Sequence, residues 1–171
     1  MKKQGFTLIE LMVVIVIMGI LAAVAVPKLF GMIAKSKASE VGPAAGEYVK
    51  LQDAYVSEVG VYVGNWKAIG YKMDPSSNFN YSEPAANTSW DKNTTTLNAT
   101  QVQGWEATNV AALNDCGNGA KWQIYVEQNG TTGGAALYDA KIVAGAAGTA
   151  SDCEVLNASF VKMDTKDKSI N

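Results

Sequence analysis

Residues 2–26 read KKQGFTLIELMVVIVIMGILAAVAV, and this stretch decides the fold. From Leu11 to Val26, sixteen consecutive residues carry neither a charge nor a hydrogen-bonding side chain. A helix over residues 6–26 is about 31 Å long at about 1.5 Å per residue, close to the ~30 Å hydrocarbon core of a bilayer. The stretch therefore predicts a helix that is long enough to span a membrane.

Glu10 does not fit a plain membrane anchor. It lies inside the apolar stretch, where an ionised carboxylate is costly and usually has a functional partner. A secretory signal peptide would need a cleavage site of small residues, and Ala23-Val24-Ala25 has that form. Glu10 and the helical pattern that continues beyond Pro27 argue against this interpretation. A simple single-pass anchor explains the length of the stretch but not Glu10.

The N-terminal motif offers a third interpretation. Lys2-Lys3-Gln4-Gly5, followed by Phe6-Thr7-Leu8-Ile9-Glu10, closely resembles the leader and processing site of class III signal peptides, which type IV pilins and the related pseudopilins carry. The resemblance implies that a prepilin peptidase cuts between Gly5 and Phe6 and that the new N-terminal Phe6 is methylated. It also implies that Glu10 contacts the N-terminal amine of Phe6 in a neighbouring subunit.

The resemblance also sets the expected domain organisation and the α+β fold class. We expect residues 1–5 to be a leader that is removed, and residues 6–27 to be an apolar helix in the membrane and then in the filament core. Residues 28–62 would be an amphipathic continuation of this helix, and residues 63–171 a β-rich head. The long helix would pack on a small antiparallel sheet, as in pilins.

Two residues of the apolar helix are weak helix formers. The resemblance implies that the helix loses regularity between Gly19 and Pro27 in the assembled filament. A kink at the membrane boundary is the other interpretation, since an internal proline removes a helical hydrogen bond.

An apolar stripe of helical period predicts that the helix continues beyond Pro27. Its members are Val41, Ala45, Tyr48, Leu51, Tyr55, Val59 and Tyr62. Gly42-Pro43 interrupts this stretch, but the stripe keeps its phase, so we expect a bend there rather than a stop.

The head shows several strand signals. Alternating patterns predict strands over residues 121–127 and 136–144, which the turn-rich residues 128–135 join in a hairpin. Residues 79–82 predict a short strand, and residues 153–161 a further one. The polar stretch from Asn87 to Thr100 is typical of an exposed loop or a weak edge strand.

Cys116 and Cys153 are the only cysteines. In a domain that is exported across the membrane, two cysteines predict one disulfide. A disulfide also bounds a C-terminal region in many type IV pilins. Two cysteines without a histidine make a poor zinc site. We therefore expect neither a metal nor another cofactor.

The composition argues against an enzyme and against specific nucleic-acid binding. The chain has no histidine, the commonest general base, and no nucleophile–base pattern, so no catalytic residues are predicted. It also has no arginine, which is preferred for bidentate contacts to phosphates and bases. Without Lys2 and Lys3 the chain keeps 12 lysines against 16 acidic residues, a side-chain charge of −4.

The sequence thus predicts a structural subunit of a type IV pilus, with major pilin favoured. It would polymerise with identical copies into a surface filament used for adhesion or twitching motility. Its partners would be the prepilin peptidase and the assembly machinery, and its precursor would lie in the inner membrane. The alternative is a pseudopilin of a type II secretion system, although major pseudopilins tend to be shorter and carry a calcium-binding loop. A membrane-anchored binding protein or enzyme ranks third.

Overall fold

The computed structural model describes residues 5–84, 94–97, 100–130 and 134–166. A long helical element at the N-terminus leads into a head that contains antiparallel sheets and short helices. This arrangement confirms the predicted α+β class. Residues 1–4 of the leader, and residues 87–93 and 98–99 of the predicted polar loop, lie outside the described residues.

Helix α1 runs from Leu8 to Ala38. At about 1.5 Å per residue its 31 residues measure about 46 Å. The helix is continuous through Pro27, although proline lacks the N–H that would bond the carbonyl of Ala23. Buried residues begin only at Ala34, so most of α1 stands free of the described part of the head.

The helical path is interrupted at Ser39 and Glu40, and helix α2 then runs from Val41 to Val59. Pro43 accounts for this position, because it has no N–H to donate to the carbonyl of Ser39 four residues earlier. Ser39 and Glu40 keep right-handed helical backbone angles. The helix therefore continues rather than stops, and the interruption lies just before the proline.

The remaining described elements follow in chain order. They are β1 (Tyr62–Gly64), α3 (Trp66–Ile69), β2 (Phe79–Ser82), β3 (Thr94–Thr96), β4 (Val102–Asn109), β5 (Lys121–Gln128), β6 (Ala136–Val143), α4 (Ala150–Glu154) and α5 (Ala158–Val161).

Four antiparallel strands form the main sheet in the order β2-β4-β5-β6, and β1 pairs with β3 in a second, smaller sheet. The predicted hairpin is confirmed, with Lys121 opposite Val143 and Gln128 opposite Ala136. The predicted strand over residues 79–82 is also confirmed and pairs with β4. Strand β4 itself was not predicted.

The buried stripe of α2 follows the predicted phase only at its beginning. Val41, Ala45 and Tyr48 are fully buried, but the next buried positions are Gln52 and Val56. The predicted members Leu51 and Tyr55 are half-buried, and Val59 and Tyr62 are exposed.

Gln52 explains this difference. In the orientation that satisfies both amide atoms, its side chain donates to the carbonyl of Gly64 at 2.8 Å and accepts from the N–H of Gly64 at 3.0 Å. A polar residue enters the core here because a strand backbone meets its hydrogen-bonding groups. A pattern based on hydrophobicity therefore selects the neighbouring leucine instead.

Gly104 allows β4 to lie close to α2. The pairing of β4 with β5 is irregular between Gln103 and Trp105. A Cβ atom at position 104 would lie 1.8 Å from the hydroxyl oxygen of Tyr48, whose side chain is fully buried. The carbonyl of Gly104 accepts a hydrogen bond from the indole Nε1 of Trp66 at 2.9 Å. Glycine in a strand often marks such a close approach.

Aromatic side chains fill the space between the sheet and the helices. Trp105 and Trp122 are fully buried, and the ring of Trp122 meets that of Phe79 edge-on with centroids 5.3 Å apart. The indole Nε1 of Trp105 donates to the hydroxyl of Tyr71 at 2.9 Å. The core of the head therefore lies on the helix-facing side of the main sheet.

The predicted strand over residues 153–161 is wrong, because this segment belongs to the short helices α4 and α5. Thr149 and Asp152 cap α4 reciprocally: the main-chain N–H of Thr149 donates to Asp152 Oδ2 at 2.7 Å. Cys153 lies in α4 and is bonded to Cys116. A prediction from alternating hydrophobicity does not take such a cross-link into account.

Candidate assembly site on the N-terminal helix

The exposed part of α1 carries a dense apolar surface. Every large apolar residue from Leu8 to Ile33 is exposed, and none is covered by the described part of the head. They are Leu8, Ile9, Leu11, Met12, Val13, Val14, Ile15, Val16, Ile17, Met18, Ile20, Leu21, Val24, Val26, Leu29, Phe30, Met32 and Ile33. The helical element is long and apolar enough to cross a membrane, judged by length and composition. Exposed apolar surfaces of this extent mark membrane or protein contacts.

Glu10 lies at the free tip of this helix, next to Phe6. Thr7 caps the helix, and both its main-chain N–H and its hydroxyl donate to Glu10 Oε2, at 2.8 and 2.6 Å. The main-chain N–H of Glu10 in turn donates to Thr7 Oγ1 at 3.4 Å. This capping box fixes the first turn and directs the carboxylate towards the chain start.

The other predicted residues of the helix lie along its length. Gly5 and Phe6 are exposed and precede the first turn. A Cβ atom at position 19 would have open space around it, because no described residue outside the helix backbone comes within 4 Å. The helix is regular in secondary structure at Gly19 and Pro27, and the loss of regularity in a filament stays a prediction.

The two predicted cysteines lie far from this tip, in the head. Cys116 and Cys153 form a disulfide with a Cα–Cα distance of 4.8 Å across a sequence separation of 37. The bond ties the connection between β4 and β5 to helix α4. The main-chain N–H of Gly117 also donates to the carbonyl of Ala147 at 3.0 Å. The two segments are thus held together beside the point where α1 enters the head.

The outer face of the main sheet is polar and carries paired charges. Glu106 accepts hydrogen bonds from Lys121 Nζ at 2.8 Å and from Gln123 Nε2 at 2.7 Å. Burial opposes ionisation of Glu106, but these bonds outweigh it, so the pKa of Glu106 lies below its usual value. Burial likewise opposes ionisation of Asp139, and hydrogen bonds from Lys141 and Gln101 bring its pKa below the usual value.

The charges on this face are arranged in pairs of opposite sign. Within the described ranges, no three His, Cys, Asp or Glu side chains are grouped so that they hold a metal ion. The pairs Glu106–Lys121, Asp139–Lys141 and Glu127–Lys166 each combine one acid with one lysine. Sequence reasoning missed the Glu106–Lys121 pair because these two residues become neighbours only through the pairing of β4 with β5.

Comparisons with known proteins agree with the geometry of the helix. The family described as "Prokaryotic N-terminal methylation motif" matches residues 1–26. The chain is also similar to the type IV major pilin protein PilA of Myxococcus xanthus, with 36% identity over 85 residues, which cover 50% of this chain and 39% of that protein. The chain thus carries the N-terminal methylation motif and is similar to type IV pilins over part of its length.

Two further proteins to which the chain is similar have related names. The fimbrial protein EcpC of Eikenella corrodens is 44% identical over 68 residues, which cover 40% of this chain and 44% of that protein. The type IV wide pilus major component PilA4 of Thermus thermophilus is 35% identical over 79 residues, which cover 44% of this chain and 60% of that protein. The matches thus span less than two thirds of these relatives' lengths. No solved structure matches the chain significantly.

Proposed function

We propose that this protein is a type IV pilin, a structural subunit of a type IV pilus. Its precursor would lose residues 1–5, become methylated at Phe6, and polymerise through α1 into a filament. The observation that carries the proposal is the apolar surface of α1, which no described part of the head covers and whose tip carries Glu10. Such a surface needs either lipid or other helices around it.

The physical chemistry of the two environments supports a transfer from membrane to filament. Lipid tails are about as apolar as leucine side chains, so apolar burial alone does not favour the filament over the bilayer. An ionised carboxylate behaves differently, because it is unfavourable in hydrocarbon unless it is paired. A partner for Glu10 that exists only in the filament would therefore favour assembly.

The N-terminal amine of Phe6 in a neighbouring subunit is the proposed partner. Cleavage after Gly5 would create this amine, so that processing and assembly are linked. The two bonds from Thr7 both reach Glu10 Oε2. This arrangement leaves Oε1 to accept a bond from a neighbouring ammonium group, and charge-assisted bonds of this kind are strong.

The names of the relatives support a pilus subunit over a pseudopilin. The three relatives are named as a major pilin, a fimbrial protein and a major pilus component. Under this proposal the precursor is held in the inner membrane by α1, is processed by a prepilin peptidase, and is delivered by the assembly machinery to an extracellular pilus. Adhesion and twitching motility are the uses we propose for that pilus.

Electron microscopy of sheared surface filaments tests the proposal. Cells that produce the protein should yield thin filaments that an antibody against the head labels along their whole length. Deletion of the coding sequence should remove these filaments. If the protein stays entirely in the membrane fraction of cells that make filaments from another protein, the proposed function is wrong.

A further inference from the structure

The chain contains two Asn-Gly pairs, and the fold holds them in different ways. Asn118-Gly119 lies in the connection between β4 and β5, and Asn129-Gly130 directly follows β5. Both asparagines are exposed. An Asn-Gly pair can cyclise without an enzyme, because glycine has no side chain that would hinder attack of its main-chain nitrogen on the asparagine amide. The two pairs share this chemistry, so a difference in their reactivity comes from the fold.

Main-chain hydrogen bonds hold the pair Asn118-Gly119. The N–H of Gly119 donates to the carbonyl of Asn109 at 3.2 Å, and the carbonyl of Asn118 accepts from the N–H of Ala146 at 2.8 Å. A Cβ atom at Gly145 would lie 2.3 Å from that same carbonyl oxygen, so the two segments are in close contact. The nitrogen that would have to attack is thus engaged through its proton, and the peptide cannot turn towards the asparagine side chain without breaking both bonds.

The disulfide reinforces this arrangement. Cys116 lies two residues before Asn118 and is bonded to Cys153 in α4. Between them, the N–H of Gly117 donates to the carbonyl of Ala147 at 3.0 Å. Local opening of the Asn118 segment therefore requires several neighbouring contacts to break together, and such openings are rare in a folded protein.

The pair Asn129-Gly130 lies at the end of the β5–β6 hairpin. The pairing of β5 with β6 ends with Gln128 opposite Ala136, and the N–H of Asn129 donates to the carbonyl of Ala135 at 3.2 Å. Gly130 follows beyond this bond, is exposed, and has a φ of 73°. The ends of paired strands open locally at little cost in free energy. The side chain of Asn129 and the nitrogen of Gly130 can therefore approach each other in the folded protein.

We propose that Asn129-Gly130 is a site of spontaneous cyclisation and deamidation in the folded protein, and that the fold protects Asn118-Gly119. The main-chain nitrogen of Gly130 loses its proton to a base and attacks Cγ of Asn129. A bond between this nitrogen and Cγ forms, the bond between Cγ and Nδ2 breaks, and Nδ2 leaves as ammonia. Water then opens the resulting succinimide at one of its two carbonyls, which yields aspartate or isoaspartate at position 129.

The isoaspartate product changes the hairpin more than the aspartate product does, because it adds one methylene group to the main chain. The N–H of Gly134 donates to the carbonyl of Gly60 at 2.5 Å, and Gly60 caps the C-terminus of α2. A longer main chain between Gln128 and Gly134 shifts the hairpin relative to this contact. Modification therefore adds a negative charge and, as isoaspartate, loosens the hairpin against α2.

Ageing of the purified full chain in detergent tests the inference. After reduction, the tryptic peptide of residues 122–141 contains Asn129 as its only asparagine, and the peptide of residues 93–121 contains Asn118. Fragmentation mass spectrometry follows the replacement of amide by carboxyl at each position. In the folded protein we expect Asn129 to convert at least about tenfold faster than Asn118, which corresponds to about 1.4 kcal/mol in the activation barrier. Both rates should rise with pH, because the attacking nitrogen must lose its proton.

The same measurement in urea is the control for the role of the fold. Both pairs should convert at similar rates in the unfolded chain. Asn129→Gln, whose longer side chain disfavours ring closure, should keep its amide under all these conditions. Similar rates at the two pairs in the folded protein would overturn the inference. It would also be overturned if Asn129 converted in urea but not in the folded protein.

Hydrogen exchange separates the effect of the longer main chain from that of the added charge. The N–H of Gly134 should exchange faster in aged protein that contains isoaspartate than in fresh protein. Asn129→Asp adds the charge with a main chain of normal length, so its exchange at Gly134 should match that of fresh protein. Unchanged exchange in the isoaspartate form would overturn the inferred loss of the contact with Gly60.

Discussion

The side-chain amide of Asn157 donates a hydrogen bond to the main-chain carbonyl of Ala38 at 3.0 Å, and both residues are buried. Ala38 is the last residue of α1, where main-chain carbonyls lack helical partners. Nearby, the carboxylate of Glu40 accepts hydrogen bonds from the hydroxyls of Ser76 and Tyr81. Side chains from distant parts of the head thus hold the interruption between α1 and α2, and so fix how the assembly helix leaves the head.

Removal of the Asn157 amide should destabilise the head. Asn157→Ala leaves the buried carbonyl of Ala38 without a partner, which costs about 1–3 kcal/mol. Urea unfolding of the full chain in detergent measures the loss. Asn80→Ala, at an exposed position of β2, is the control and should change stability by less than about 0.5 kcal/mol. Equal midpoints for the two variants would show that the bond to Ala38 is not needed.

Gly104 and Tyr48 should be energetically coupled. A Cβ at position 104 would lie 1.8 Å from the Tyr48 hydroxyl oxygen and 2.9 Å from Cζ. Gly104→Ala should therefore cost about 1–3 kcal/mol through overpacking. Tyr48→Phe removes the closest atom, so the double variant should lose less stability than the sum of the single variants. A double-mutant cycle measures this coupling, and strictly additive losses would contradict it.

The sequence predicted the close approach of Tyr48 and Gly104 only in part. Helical periodicity correctly placed Tyr48 on the buried face of α2, because an amphipathic pattern is a local property. Gly104 carries no such signal: its neighbours Gln103 and Glu106 hide the alternation of β4, and the reason for glycine is a side chain from another element. Gln52 was missed for a similar reason, since only the position of Gly64 reveals that its amide is satisfied.

The candidate assembly site was more predictable than the head. Glu10 and the apolar run form one continuous segment, so the sequence alone places them on one helix, and Phe6 lies just before its first turn. The capping role of Thr7 is equally local. The connection between β4 and β5 is different, because its position beside α1 depends on how the head folds back onto the helix. The strand predicted over residues 153–161 was also wrong. The capping box of Thr149 and Asp152 starts a helix there, and the disulfide holds that helix against the connection between β4 and β5.

The disulfide should contribute strongly to stability. Replacement of Cys116 and Cys153 by serine should lower the free energy of unfolding by about 3–4 kcal/mol, because the bond restricts a long loop in the unfolded chain. Guanidinium unfolding of wild type, reduced wild type and the double variant measures this change. Reduced wild type and the double variant should agree closely. Unchanged stability in both would show that the loop is held by other contacts alone.

Glu106 should make stability depend on acid pH. Its pKa in the folded state lies below that of the unfolded state, so the unfolded chain binds more protons between the two values. The contribution of Glu106 is therefore complete above the pKa of an unfolded glutamate, and it is lost as the pH falls through the lower pKa of the folded state. Glu106→Gln should be less stable than wild type at pH 7 and should show a shallower loss over this range. Parallel pH profiles would contradict the role of the Lys121 and Gln123 bonds.

Glu10 should be needed for assembly and not for processing. Glu10→Leu removes the carboxylate while keeping the helix apolar, so membrane insertion and cleavage after Gly5 should continue. Filament yield should fall by about tenfold or more if the lost pairing exceeds about 1.4 kcal/mol. Gel mobility reports processing, and the sheared fraction reports assembly. Leu11→Met, one position along, is the matched control. Normal filament yield from Glu10→Leu would contradict the proposed ion pair.

Intact-mass spectrometry of the main protein in sheared filaments tests the central claim most directly. We predict a chain of residues 6–171 with one added methyl group at Phe6 and one disulfide between Cys116 and Cys153. A filament protein that begins at Met1 or beyond Ala25, or filaments that lack this chain, would contradict the proposed processing and assembly.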